Sequence, residues 1–262
     1  GGGDHTVASG EWNATVAGGA NNHATGSEAT VSGGAENVAG GESFATVGGG
    51  YRNTAGETDA TVGGGNTNTA SGWASTIGGG ITNTITASLG TVSGGSANSA
   101  FGWAASVAGG EGNRAAGNWS TVGGGTMNEA NGEDATVTGG SGNAAGGLAA
   151  TVGGGAENTA PGMDATVGGG RLNEANGDRS VVAGGYWNVT YGLTSTISGG
   201  QQNFINRDYA TIGGGRNNQI YGDFGTIGGG GGEDEADANI AYDHGGTVAG
   251  GTANRTGSDD ED

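Results

Sequence analysis

Apolar and polar positions along this chain recur with a fixed period. The segment Ala-Thr-Val-x-Gly-Gly returns with its Thr, or a substitute for it, at positions 15, 30, 46, 61, 76, 91, 106, 121, 136, 151, 166, 181, 196, 211 and 226. The step is 15 residues, with a single step of 16. Val or Ile follows every anchor, from Val16 to Ile227, and a glycine pair stands one residue further on, from Gly18-Gly19 to Gly229-Gly230. Seven residues after the anchor comes Asn, at Asn22, Asn37, Asn53, Asn68, Asn83, Asn98, Asn113, Asn128, Asn143, Asn158, Asn173, Asn188, Asn203 and Asn218. Ala or another apolar residue lies two positions beyond (Ala24, Ala70, Ile85, Ala160, Ile220), and Gly usually two beyond that (Gly26, Gly72, Gly132, Gly222).

Two or three glycines per repeat disfavour a helix, each costing about 1 kcal/mol against Ala. Strand alternation fits instead. Residues −1, +1 and +3 from the anchor point one way, while the anchor Thr and residue +2 point the other. Asn at +7 and Ala at +9 make a second, shorter alternating segment that the Gly at +11 ends in a turn. Two short strands and two turns make a coil, and coils stack about 4.8 Å apart. The expectation is an all-β fold, a parallel β-solenoid (β-roll) of about 15–16 coils, some 70–75 Å long. The Asn column has two readings. Stacked amides buried in the coil satisfy one another, or each Asn serves a turn by tolerating positive φ.

One such coil has a thin core, and burial at roughly 25 cal/mol per Å2 hardly offsets the entropy of ordering its backbone. The charge pattern indicates where more burial comes from. Charged residues occupy +5, +6, +8, +12 and +13 (Arg216, Glu36, Glu129, Glu133, Asp134), whereas positions 0 to +4 carry none in any copy. Residue +2 is only Gly, Ala, Ser or Thr (Gly63, Ala108, Ser198, Thr138). The first strand is therefore expected to be covered on both faces, its Thr column (Thr61, Thr76, Thr91, Thr121, Thr136, Thr151, Thr166) facing a partner chain. The second strand is expected to face solvent.

These residues resemble the head repeats of trimeric autotransporter adhesins, the YadA-like left-handed parallel β-roll. The match lies in the Ala-Thr-Val-Gly-Gly strand (Ala60 to Gly64, Ala165 to Gly169) and in Asn-x-Ala-x-Gly (Asn68 to Gly72, Asn128 to Gly132), over roughly residues 14–257. The resemblance implies left-handed coils, a homotrimer and a role in surface adhesion. The chain departs from the family in having no heptad stalk or membrane-anchoring barrel, and in placing Gly where the strand's second inward apolar residue belongs.

Composition narrows the function classes. The chain has 67 Gly in 262 residues and one Pro, without the every-third glycine of collagen. Acids outnumber bases 26 to 7, for a net charge of −19; every base is Arg and Lys is absent. Such a surface repels nucleic acid and anionic membranes, and acid excess without Lys fits life in high salt. With no Cys there is no disulfide or thiolate chemistry. No apolar run is long enough to span a membrane, so membrane insertion is not expected. An opening run of glycines without a signal peptide reads as a processed product.

The expected organisation is an N-terminal cap or incomplete coil (1–13), the β-roll (14–230), an acidic insertion loop (231–246), a last partial coil (247–257) and an acidic tail (258–262). In the insertion, Glu233, Asp234, Glu235, Asp237 and Asp243 form either a Ca2+ site or a solvated acidic loop; no other cofactor is expected. Four Asn-x-Ser/Thr sequons occur. Asn188 and Asn254 belong to the inward column, while Asn13 and Asn118 lie in the turn before the Thr strand, where a glycan has room to project. Aromatic residues collect near turns (Trp73, Trp103, Trp119, Tyr186, Trp187, Tyr191, Tyr209, Tyr221, Phe224), for packing between coils or chains or for stacking on receptor sugars. His5, His23 and His244 occupy unrelated places and make no triad, and the glycine runs lack the Lys of a phosphate loop. The expectation is not an enzyme but a structural and adhesive extracellular or cell-surface fibre. Its partners would be further copies of itself, as a homotrimer and by end-to-end filament growth, and a host-surface or glycan receptor. A virion spike or tail fibre and an ice-binding solenoid are the rival readings.

Overall fold

The computed structural model describes residues 4, 6, 7 and 12–257; the acidic tail, His5 and part of the N-terminal segment lie outside them. The chain is all-β, a parallel β-solenoid of about 16 turns with a repeat of about 15 residues, and its described residues include no α-helix. It divides into two compact units, Gly1–Ala130 and Asn131–Asp262.

In the first unit, two-residue strands centred on the anchor run from Thr15–Val16 to Thr121–Val122, each parallel to the equivalent strand one turn on, as in Thr61↔Thr76 and Val62↔Ile77. A second ladder follows each Asn, from His23–Ala24 to Glu129–Ala130. Thr6–Val7 joins this second ladder through Thr6↔His23 and Val7↔Ala24. The single 16-residue step leaves both ladders in register, with Thr30↔Thr46 and Val38↔Thr54, so the extra residue is absorbed in the corner between them. The second unit repeats the plan, with anchor strands from Thr136–Val137 to Thr247–Val248 and second strands from Ala144–Ala145 to Arg255–Thr256.

Each unit also contains a third line of parallel bridges at +5, running through Tyr51, Asn66 and Ile81 and through Arg171, Tyr186 and Gln201. Alternation does not reveal it, because a lone bridging residue has no period. Strands stay two residues long because left-handed corners interrupt them. Residues at +6 (Glu36, Thr67, Thr82) and at −2 (Asp59, Ala74, Leu89) have φ between 51° and 60°. None of the column's Asn residues has positive φ, so the turn reading of Asn does not hold.

The interior is thin and continuous within each unit. Residues at −1, +1, +7 and +9, such as Ala60, Val62, Asn68 and Ala70, are fully buried. In two turns where +9 is Ile, −1 is Gly, whereas Ile205 stands with Ala210. Ile85 lies beside Gly90 and Ile220 beside Gly225, and a Cβ on either glycine would stand 2.6 or 2.5 Å from the isoleucine Cγ2. In those two turns the missing Cβ makes room for the larger side chain, as close packing demands.

Candidate functional site

The buried Asn column is the fixed element from which the outward faces are built. Asn68 Nδ2 donates to Asn53 Oδ1 (3.1 Å) in the preceding turn, to Gly64 O (2.9 Å) in its own and to Gly80 O (2.9 Å) in the next. Its Oδ1 accepts from the Asn83 backbone N–H (3.0 Å) and from Asn83 Nδ2 (3.1 Å). All three turns are tied by one side chain, and its donors and acceptor are satisfied, as a buried amide requires. The glycine pair belongs to this device. Gly65 has φ +96°, and a Cβ there would meet both the Gly80 carbonyl oxygen and Asn68 Nδ2, the latter at 2.7 Å. The residue at +4 must therefore be glycine for its backbone conformation and for the amide that passes beside it.

The Thr strand presents one outward face. Thr61, Thr91, Thr136, Thr151 and Thr166 are half-buried, and Thr76 and Thr121 are exposed. Their neighbours at +2, among them Gly63, Ala108, Thr138 and Ser198, are exposed. Position +3 of the strand (Gly33, Gly64) carries no side chain. On a single chain this face is consequently small-sided, uncharged and open.

The second strand presents another face through +6, +8 and +10. In the first unit it carries mainly short polar residues, such as Thr67, Thr69 and Ser71. In the second unit it becomes aromatic. Tyr191 stands edge-on to Phe204 (centroids 6.0 Å apart), Phe204 is 5.9 Å from Tyr221, and Tyr221 stacks on Tyr242 at 5.4 Å. A groove of 380 Å3 opens beside this row, lined by Glu174, Trp187, Tyr191, Gln202, Phe204 and Gln219 among others, with Glu235 at its edge. Further aromatic pairs stand at the −2 corner: Tyr209 stacks on Phe224 (5.0 Å), and Phe224 meets His244 edge-on (5.1 Å). In the first unit Trp103 and Trp119 meet at 5.0 Å, while Trp73 is half exposed. Packing between coils thus accounts for most of these rings, and it leaves Trp187 and Tyr191 about half exposed.

The segment 231–246 is not a loop throughout. Asn239 is fully buried and continues the column by donating to Asn218 Oδ1 (3.0 Å), and Ile240–Ala241 pairs with Gln219–Ile220. Asn239-Ile-Ala is the Asn-x-Ala signature, hidden because six extra residues precede it. Those residues include a 3-10 turn, Glu235–Asp237. They are pinned by Asn217 Nδ2, which donates to Gly232 O (2.9 Å) and Glu233 O (3.0 Å), and by the Arg216–Glu233 ion pair at 3.3 Å. Glu233, Asp234, Glu235, Asp237 and Asp243 do not converge. Among the described residues no group of three or more acidic or imidazole side chains is placed to hold a metal ion.

Of the sequon residues, Asn13 is exposed, whereas Asn118 is exposed but accepts the Trp103 backbone N–H at 3.0 Å. Asp178 and Asp208 serve the same corner position by accepting from Met163 (2.9 Å) and Leu193 (2.8 Å). Asn188 is fully buried. Asn254 continues the column, bonded to Asn239 Oδ1 at 3.1 Å, but is exposed because it belongs to the last turn described. His23 lies on a second strand and His244 at the aromatic corner. The Arg52 guanidinium is held above its ordinary pKa, chiefly by its hydrogen bond to Glu36 and then by that carboxylate's charge. Among the described residues, no helix is long and apolar enough to cross a membrane. No protein-family model and no curated protein matches the chain.

Proposed function

We propose that this chain is a structural and adhesive extracellular fibre protein, three copies of which associate through their Thr strands into a rigid β-roll used for surface attachment. The observation that carries the reading is the uncharged face of the Thr strand. The chain has a net charge of −19, yet one outward ladder in every turn is free of charge and kept to Thr, Ser, Ala and Gly, with Val181 the exception. Small residues let backbones approach closely, and self-repulsion opposes any association that brings charged faces together. An uncharged, small-sided strip on a strongly acidic molecule therefore suits contact with further copies of itself. The resemblance to trimeric adhesin heads supports the same arrangement, and the buried Asn ladder supplies resistance to extension.

The test is the molar mass in solution by light scattering in concentrated salt. Three times the chain's 24.8 kDa is expected. A mass of one chain overturns the assembly. Substituting the exposed Gly63 with Lys, where a Cβ would crowd the Gly78 carbonyl oxygen, confounds folding with association. The better probe is Thr138→Lys, since the outward +2 position already accepts a side chain there. It is expected to leave circular dichroism unchanged and to lower the mass to that of one chain.

A further inference from the structure

We propose that the groove on the second-strand face of Asn131–Asp262 binds a neutral oligosaccharide. The inference deepens the adhesive reading and rests on it for its context, since it names what the attached surface presents.

The groove has the size of a ligand site, 380 Å3, and its lining combines rings with a few polar groups. Its floor is built from outward positions on successive turns: Trp187 at +6, Tyr191 at +10 and Phe204 at +8. Trp187 is 51% exposed, and Tyr191 is 54% exposed although it meets Phe204 edge-on. Burial of neither ring is needed for the core, which lies on the other side of the strand. The rim carries Gln202, Gln219, Glu174 and Glu235. Gln219 is oriented by accepting from Tyr221 Oη at 2.9 Å, and Glu174 by accepting from Asn176 Nδ2 at 3.2 Å. A pyranose ring is apolar on its C–H faces and ringed by hydroxyls. Those faces pack on indole and phenol rings, while the hydroxyls exchange hydrogen bonds with amides and carboxylates, which together supply both donors and acceptors.

Three further observations select among ligands. Two carboxylates and no basic side chain line the groove, so an anionic sugar is repelled. The rings lie along a face from turn to turn, continuing through Tyr221 to Tyr242, and do not close into the aromatic cage that suits a compact cation. A ligand that extends across turns is favoured over a single small one. Finally, the six extra residues of the last long turn bring Glu235 into the groove's lining, on a segment whose Gly232 and Glu233 are held by Asn217 and Arg216. The one large departure from the repeat and the aromatic replacement of its short polar face thus meet at the same place.

The experiment is calorimetric titration of the full chain with cellohexaose, xylohexaose, maltohexaose and mannohexaose, alongside sialyllactose and tetramethylammonium. At least one neutral hexasaccharide is expected to bind. Trp187→Ala and Tyr191→Ser are each expected to weaken it by about tenfold or more. Both variants copy residues the chain itself uses, since Ala97 occupies the Trp187 position with φ 55° and Ser71 occupies the Tyr191 position. Trp73→Ala, in the other unit, is expected to leave binding unchanged. Binding of no hexasaccharide overturns the proposal, as does binding indifferent to Trp187, or Trp187-dependent binding of sialyllactose or tetramethylammonium in place of the neutral sugars. Molar mass measured on the same samples separates the two readings. A trimer without sugar binding overturns the groove alone, and a monomer with Trp187-dependent binding overturns the assembly alone.

Discussion

At the scale of single residues, the Asn column sets how tolerant each position is. Asn68 makes hydrogen bonds to three turns, those along the column buried and those to the glycine carbonyls part-buried. Asn68→Ala leaves the Asn83 backbone N–H and the Gly64 and Gly80 carbonyls without that partner. The Gly80 carbonyl keeps the Asn66 backbone N–H, and each group left unmet costs roughly 1–3 kcal/mol, so a loss of about 2 kcal/mol or more is expected in chemical denaturation. A loss under about 1 kcal/mol would mean that water replaces the amide and that the column is not a continuous device. The repeat does contain imperfect positions. Thr190 takes the place of the usual Ala at +9, and its Oγ1 is buried with no hydrogen-bond partner among the described residues.

The next scale is the coil, whose two strands share a single layer of interior. Ile85 and Gly90 fill together what Ala and Ala fill in other turns, for example Ala100 against Ala105 or Ala130 against Ala135. Gly90→Ala alone places a methyl group 2.6 Å from Ile85 Cγ2, an overpacking worth about 1–3 kcal/mol. Ile85→Ala alone opens a cavity worth about 2–5 kcal/mol. The double variant restores the composition of the neighbouring turns and is expected to be more stable than either single one, with a coupling energy of about 1–3 kcal/mol. Additive losses in a double-mutant cycle would show that the two positions do not share a space. The same coil logic separates the faces: residues at 0 and +2 leave by one side, those at +6, +8 and +10 by the other, so the proposed contact surface and the proposed sugar groove share no residues.

For the whole molecule the dominating quantity is charge. Among the described residues no Asp, Glu or Arg side chain is buried, and the ion pairs they form are exposed, such as Arg52–Glu36 at 2.6 Å. Surface pairs of this kind contribute little, so most of the net charge of −19 acts as unrelieved repulsion. Raising sodium chloride from about 0.1 M to about 1 M shortens the screening length from about 10 Å to about 3 Å. The melting temperature is expected to rise across that range. A fall, or no change, would show that the acids are neutralised in another way.

The amino-acid sequence by itself determined the period, the parallel stacking and the inward and outward alternation, because a repeat applies the same local preference to every turn and leaves few alternatives for side-chain direction. It also showed the Thr face, since the absence of charge at 0 to +4 is visible without coordinates. Other features exist only in three dimensions. The left-handed corners at +6 and −2 escaped because Glu, Leu, Trp and Thr occupy them as freely as Gly, so composition carries no mark of the backbone there. Ile85 and Gly90 are five residues apart, and nothing in that spacing says they meet. The acidic segment hid Asn239 because six inserted residues broke the count, and only the Ile240–Ala241 pairing restored it. The groove, too, was decided by tertiary structure. Trp187, Phe204 and Glu235 belong to three different turns, and stacking those turns is what brings their outward side chains to one place.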